Sequence, residues 1–296
     1  MIVVPEDYHI KNDLEDAHIQ CMSQSEALKE DIRALRIGIL NIMPQAESYE
    51  YSLLHPLGQS VIQIEPVWIR LKTHTYTSSN KQHLDSVYIT FEKATEKAYL
   101  DGLLLTGAPV EEIPFAQVSY WDEILRILTY ARRNVASTLG LCWGGLALAK
   151  FLGIEKKVYD KKIFGVFETR NLNRKHRITG NMDDVFFCPH SSHSGISDKV
   201  MEAERDKGTI NLLAYAEIAG YTIFESTDQR FLMHLGHPEY EPERLAYEYR
   251  RDKEKSRTDV EPPVNLDLEH PLNRWRGHRT ELFNQWIKYI HETTRY

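Results

Sequence analysis

Apolar residues along this chain gather in short unbroken runs, and between several of them lie stretches whose apolar positions recur with helical spacing. Residues 36–44, RIGILNIMP, form the first such run and predict a buried strand, after a polar, irregular segment 1–34 with one short helix near 24–31. Segment 61–71 (VIQIEPVWIRL) predicts a second strand interrupted by Pro66, and 101–106 (DGLLLT) a short buried strand running into Gly107-Ala108-Pro109. Over 120–133 the apolar side chains fall at Ile124, Leu125, Ile127, Leu128 and Ala131, the stripe of an amphipathic helix. Val135 to Leu141 predicts the next strand, Cys142 ends it, and Gly144 to Gly153 predicts a short apolar helix closed by a C-terminal glycine.

Further short β-like runs at 211–216, 221–225 and 230–235 precede a final amphipathic helix at about 279–292, while the charged tract 250–272 reads as a linker ending in a proline-containing loop. This alternation predicts an α/β fold: a mostly parallel sheet, helices on both faces, and active residues at the carboxyl ends of strands. One domain over 35–296 is expected, with 1–34 as an extension packed on it.

Composition narrows the partners. At 296 residues and 42% hydrophobic content the chain can bury a large core without metal or disulfide staples. A net charge of -7, with basic residues scattered among acidic ones, argues against nucleic acid. No stretch approaches the roughly 18 apolar residues of a membrane span, so no membrane partner is expected. Cys21, Cys142 and Cys188 are too few and too dispersed for a disulfide framework, which fits a reducing cytoplasm. No histidine pair has the companions of a metal site, so no metal is expected.

Gly140-Leu141-Cys142-Trp143-Gly144-Gly145 has the form of a nucleophile elbow, in which glycines flanking the nucleophile allow a sharp strand-to-helix turn. Unpaired N–H groups at the start of the helix favour thiolate over thiol, and the one on Trp143 is placed to hold an oxyanion. His237-Pro238-Glu239, following a predicted strand, offers a base and a carboxylate to orient it.

A cysteine elbow with a distant HPE resembles the class I glutamine amidotransferase-like, flavodoxin-like domains, but those usually carry Gln four residues after the cysteine, where Leu146 stands. Glutamine hydrolysis is thereby disfavoured. A closer resemblance is to the homoserine O-acyltransferase family of the same fold: LNIMP at 40–44, TGAPVE at 106–111, CW at 142, GVFE at 165–168, PHSSH at 189–193, GHPEY at 236–240 and NRWRGH at 273–278 run in family order. The resemblance implies that Cys142 carries an acyl thioester, His237 is the general base and Glu239 its orienter. It places Lys162, Ser191 and Arg251 at substrate-binding positions and Glu111 near the position that separates acyl donors. A carboxylate there would repel a succinyl group, so acetyl-CoA is the expected donor.

Two departures concern the acceptor: Gln45 and Ala46 follow LNIMP where the family typically has a lysine, and Ser192 replaces the arginine of PHSR. L-homoserine is the expected acceptor, with L-serine, shorter by a methylene, as the alternative; homoserine succinylation and a non-catalytic binding protein are further rivals. Acetyl-CoA and the amino acid would be substrates, so no bound cofactor is expected. Relatives suggest a homodimer.

Overall fold

The apolar runs become strands. The computed structural model describes residues 1–96 and 98–294. Its strands are β1 (Ile2–Val3), β2 (Cys21–Met22), β3 (Leu35–Leu40), β4 (Ile64–Arg70), β5 (Ile89–Thr90), β6 (Gly102–Leu105), β7 (Ser137–Leu141), β8 (Lys157–Asn171), β9 (Val185–Gly195), β10 (Ile210–Ala216), β11 (Gly220–Ser226) and β12 (Phe231–His234). They form one sheet in the order β2-β1-β4-β3-β6-β7-β12-β11-β10-β8-β9, with β5 beside β4. Pairing is parallel from β2 across to β12 and antiparallel from β12 to β9.

Helices cover both faces: α1 (Lys11–Asp16), α2 (Gln24–Ala27), α3 (Ala46–Gly58), α4 (Lys81–Val87), α5 (Phe91–Glu96), α6 (Trp121–Asn134), α7 (Trp143–Phe151), α8 (Asp198–Asp206), α9 (Pro242–Glu254) and α10 (Arg276–Thr293). Because successive strand residues point to opposite faces, Ile37, Ile39, Leu104 and Leu139 meet Leu53 and Leu57 of α3 and Phe283, Trp286 and Ile290 of α10. Their neighbours Leu40, Leu103 and Leu105 meet Ile124, Ile127 and Leu128 of α6 and Trp143 and Leu146 of α7. Strands buried on both faces explain the unbroken apolar runs.

Pro66 is tolerated in β4 for a local reason. On the side away from β3, β4 pairs with β1 only at Ile64 and with β5 only at Ile69 and Arg70, so Pro66 falls between the two pairings.

Two expectations change. The segment 1–34 is not irregular throughout: β1 and β2 extend the parallel sheet, and Ile2, Leu14 and Ile19 are buried. The tract 250–272 is not a linker. Its first residues complete α9, and residues 259–265 lie along β8, where Val166 N–H donates to Val264 O at 2.9 Å and Val264 N–H donates to Phe164 O at 3.0 Å. Gly165, at φ 141°, makes this possible: a Cβ there would stand 2.4 Å from the Val264 backbone. Charge along the tract hid a segment held by its main chain.

Candidate active site

β7 ends at Leu141, and Cys142 leaves it with φ 50° and ψ -112°, as N-cap of α7. A non-glycine residue in this region costs on the order of 1–3 kcal/mol and persists only where its surroundings hold it. Cys142 N–H donates to His234 O at 2.8 Å, and Leu146 N–H donates to Cys142 O at 3.0 Å. The flanking glycines therefore do not make the turn. They permit close approach: a Cβ on Gly140 would lie 2.5 Å from the Gly144 carbonyl, and one on Gly144 2.4 Å from Leu105 O. Trp143 opens α7, so its backbone N–H is among those with no intrahelical acceptor. Its buried indole packs against Phe115 and Tyr120.

β12 delivers the histidine. His237 is buried, its Nδ1 lies 2.8 Å from Glu239 Oε1, and the Tyr240 ring stacks on its imidazole at 4.0 Å. The Tyr49 hydroxyl, from α3, donates to the same Glu239 oxygen. Burial opposes charge on His237, but the negative charge of Cys142, that of Glu239, and hydrogen bonds to both outweigh it and hold its pKa well above the usual histidine value. Gly107, in the loop after β6, lies against both Cys142 and His237. A Cβ built there would lie 3.5 Å from His237 Cε1 and 3.6 Å from Cys142 Cβ.

Cys142 and His237 open into a cavity of about 470 Å3 that also meets Lys162, Ser191, Arg251 and Glu111. The cavity thus gathers Cys142, His237, Lys162, Ser191, Arg251 and Glu111, while Glu239 joins it through His237 and Trp143 through its neighbour Cys142. Lys162 is buried, with Nζ 2.7 Å from Asp252 Oδ2, 3.9 Å from Glu248 Oε2 and 4.2 Å from the centre of the Phe164 ring. Ser191 donates to Glu248 Oε2. Arg251 is half-buried and directs Nε and Nη2 to Asp252 Oδ1 at 2.9 and 2.8 Å.

Glu248, on α9, is the hub of this wall and was not singled out from the sequence. Its Oε1 accepts from Tyr240 OH at 2.9 Å and from Arg244 Nε at 3.2 Å. Burial alone would raise its pKa, but Lys162, Arg244 and His237, with the Ser191 hydrogen bond, hold it below the usual carboxylate range. The spacing of Arg244, Glu248, Arg251 and Asp252 on one helix was the available signal.

The acidic pair after Pro109 divides cleanly. Glu112 is exposed and forms a two-pronged pair with Arg257, both contacts at 3.0 Å. Glu111 turns inward, and its Oε2 is buried without a hydrogen-bond partner among the described residues. Burial raises its pKa to about 7, against hydrogen bonds from the His193 and Ser194 backbone and the charges of His237 and Lys162. As for the acceptor-loop departures, Gln45 is exposed on the cavity rim, Ala46 is buried at the start of α3, and Ser192 Oγ lies 3.9 Å from Cys142 Sγ.

Two groups among the described residues place three potential metal-ligating atoms within 4.8 Å: His9, Glu50 and His83, and Glu112, His193 and Asp259. Their carboxylates are already engaged, Glu50 by Tyr8, Tyr88 and His83, the second group by Arg257. Beside His237, burial holds His234 at about 4 and His190 at about 3, so both are neutral near pH 7, and it pushes the Cys188 thiol up.

Solved structures resemble this fold at low identity. A glutamine amidotransferase from Thermotoga maritima superposes with a TM-score of 0.52 at 12% identity, over 88% of this chain and 99% of its own. The glutaminase domain of Trypanosoma brucei CTPS, with bound acivicin, also gives 0.52 at 12% identity, over 89% and 96%. Sequence relatives are nearer: the homoserine O-acetyltransferase of Bacillus subtilis (strain 168) is 37% identical and that of Bacillus pumilus (strain SAFR-032) 39%, each spanning 100% of this chain and 98% of its own length. The family described as homoserine O-succinyltransferase matches residues 1–296. With the elbow, the HPE turn and the cavity between them in place, the chain belongs to the homoserine O-succinyltransferase family.

Proposed function

We propose that this chain transfers an acetyl group from acetyl-CoA to the hydroxyl of L-homoserine through a thioester on Cys142, giving O-acetyl-L-homoserine for methionine synthesis. The observation that carries the reading is the meeting of Cys142, at its strained N-cap, with the buried His237–Glu239 pair at the floor of one cavity. In the first step Cys142 Sγ bonds to the acyl carbon, the N–H of Trp143 stabilises the oxyanion, the carbon–sulfur bond to CoA breaks, and His237 protonates the departing thiolate. Acylation removes the charge on Cys142 that supports a protonated His237. The neutral imidazole then takes the hydroxyl proton as the acceptor oxygen bonds to the acyl carbon and Cys142 leaves.

The cavity wall suits an amino-acid acceptor. Arg251 and Lys162 offer positive charge to an α-carboxylate, and Glu248 offers a buried anion to the ammonium group. Glu111 favours the acetyl donor, because a succinyl carboxylate beside its buried, partnerless oxygen would add a like charge to a site already costly to ionise. The names of the Bacillus relatives agree with acetyl and with homoserine, whereas the family description names succinyl. A free-CoA assay crossing acetyl-CoA and succinyl-CoA with L-homoserine and L-serine decides both ends. Fastest release is expected for acetyl-CoA with L-homoserine; a preference for succinyl-CoA or for L-serine overturns the corresponding half.

A further inference from the structure

A second cavity of about 470 Å3 opens away from Cys142, between α3, the start of α10 and the turn after Tyr240. Arg279 lines it while only 1% exposed, and its Nη1 donates to Glu241 Oε1 at 2.6 Å. Its Nε and Nη2 have no hydrogen-bond partner among the described residues. A buried guanidinium with two unused donors is costly unless something accepts from them. Arg276, exposed at the first position of α10, adds a second positive charge on the same wall, and the helix runs on for 18 residues, so its N-terminal end adds partial positive charge.

Across the cavity, His55 Nδ1 is also buried and unpartnered among the described residues. Burial and the nearby Arg279 charge keep this imidazole below its usual pKa, so it faces the cavity neutral. Glu241 is the one carboxylate on the lining among the described residues, and it is already engaged by Arg279.

We infer that this cavity is a binding site for a small anion, a carboxylate or phosphate group that pairs with Arg276 and competes with Glu241 for the Arg279 guanidinium. The site is separate from the catalytic cavity and does not rest on which acyl group the enzyme transfers. Its occupant would nevertheless be felt there. Glu241 lies two residues from Glu239, and α3 carries both His55 and the Tyr49 that donates to Glu239. An anion competing with Glu241 for Arg279 pulls on the turn that holds the catalytic carboxylate.

Titration calorimetry on the full chain tests this, with inorganic phosphate in one arm and acetate in the other, at constant ionic strength. One saturable site is expected in at least one arm, weakened about tenfold or more by Arg279→Gln and by Arg276→Gln, and unaffected by Lys162→Gln in the catalytic cavity. Arg276 is exposed, so its variant reports on binding even if the Arg279 variant folds poorly. No saturable binding of either anion at millimolar concentration, or binding that Lys162→Gln abolishes and Arg276→Gln leaves unchanged, overturns the inference.

Discussion

In the proposed transfer His237 serves two half-reactions and must change its charge state between them, and the residues around it allow that. Glu239 is a constant support for positive charge on the imidazole, and Cys142 is a support that acylation removes. Tyr49 tunes the constant part. Tyr49→Phe keeps the buried ring but removes the hydroxyl that donates to Glu239; a hydrogen bond to a charged group is worth about 1.5–3 kcal/mol, so kcat should fall roughly tenfold or more. The uncompensated carboxylate would hold the His237 proton harder, moving that limb of the pH–rate profile to higher pH. An unchanged rate and profile would remove Tyr49 from the account.

Glu111 gives the second prediction at this scale. With a pKa of about 7 it is neutral below that pH and charged above it, so repulsion of a succinyl carboxylate grows as pH rises. The ratio of kcat/KM for acetyl-CoA over succinyl-CoA should therefore climb between about pH 6 and about pH 8, and Glu111→Gln should flatten it. A ratio independent of pH in the unaltered enzyme would exclude Glu111 as the discriminating group. Glu111 was legible in the sequence, but only the fold separates it from Glu112, because the choice depends on which side chain Arg257 captures.

At the scale of elements, the site is a set of strand ends. β3, β6, β7 and β12 lie side by side and all run the same way, so their carboxyl-terminal loops bring Met43, Gly107, Cys142 and His237 together. Gly144→Ala tests how tightly the elbow is built, since the added Cβ would lie 2.4 Å from Leu105 O and the backbone would have to move. A loss of about 1–3 kcal/mol or more in urea unfolding is expected; an unchanged midpoint would mean that the helix can shift freely.

The apolar runs made the central strands legible because those strands are buried on both faces. β8 was not, because it mixes exposed, charged positions with buried ones, and β9 was not, because its mostly buried positions hold Pro189, serines and histidines in place of an apolar run. α9 was hidden in a charged tract, and with it Glu248, whose importance depends on partners from three other segments: Lys162, Ser191 and Tyr240. Short motifs pointed to Cys142 and His237, whereas the wall around Glu248 emerges only when a helix is laid across them.

At the scale of the whole molecule, the first residues are part of the sheet on which the site stands. Ile2, Leu14 and Ile19 are buried, and the Tyr8 hydroxyl donates to Glu50 on α3, next to Tyr49. Each such apolar side chain contributes about 1.5–3 kcal/mol when buried, so removing residues 1–22 should lower Tm by roughly 10 °C or more and reduce turnover with it. A truncated enzyme with the original Tm and rate would show that the segment is dispensable.

Every part of the catalytic account depends on one covalent intermediate. Mass spectrometry of the enzyme mixed with acetyl-CoA in the absence of acceptor should find one acetyl group, on the peptide containing Cys142. The mark should disappear on adding L-homoserine and never form in Cys142→Ala, which should also be inactive. An active preparation in which Cys142 stays unmodified, or a Cys142→Ala variant that still releases CoA at the original rate, would contradict the account.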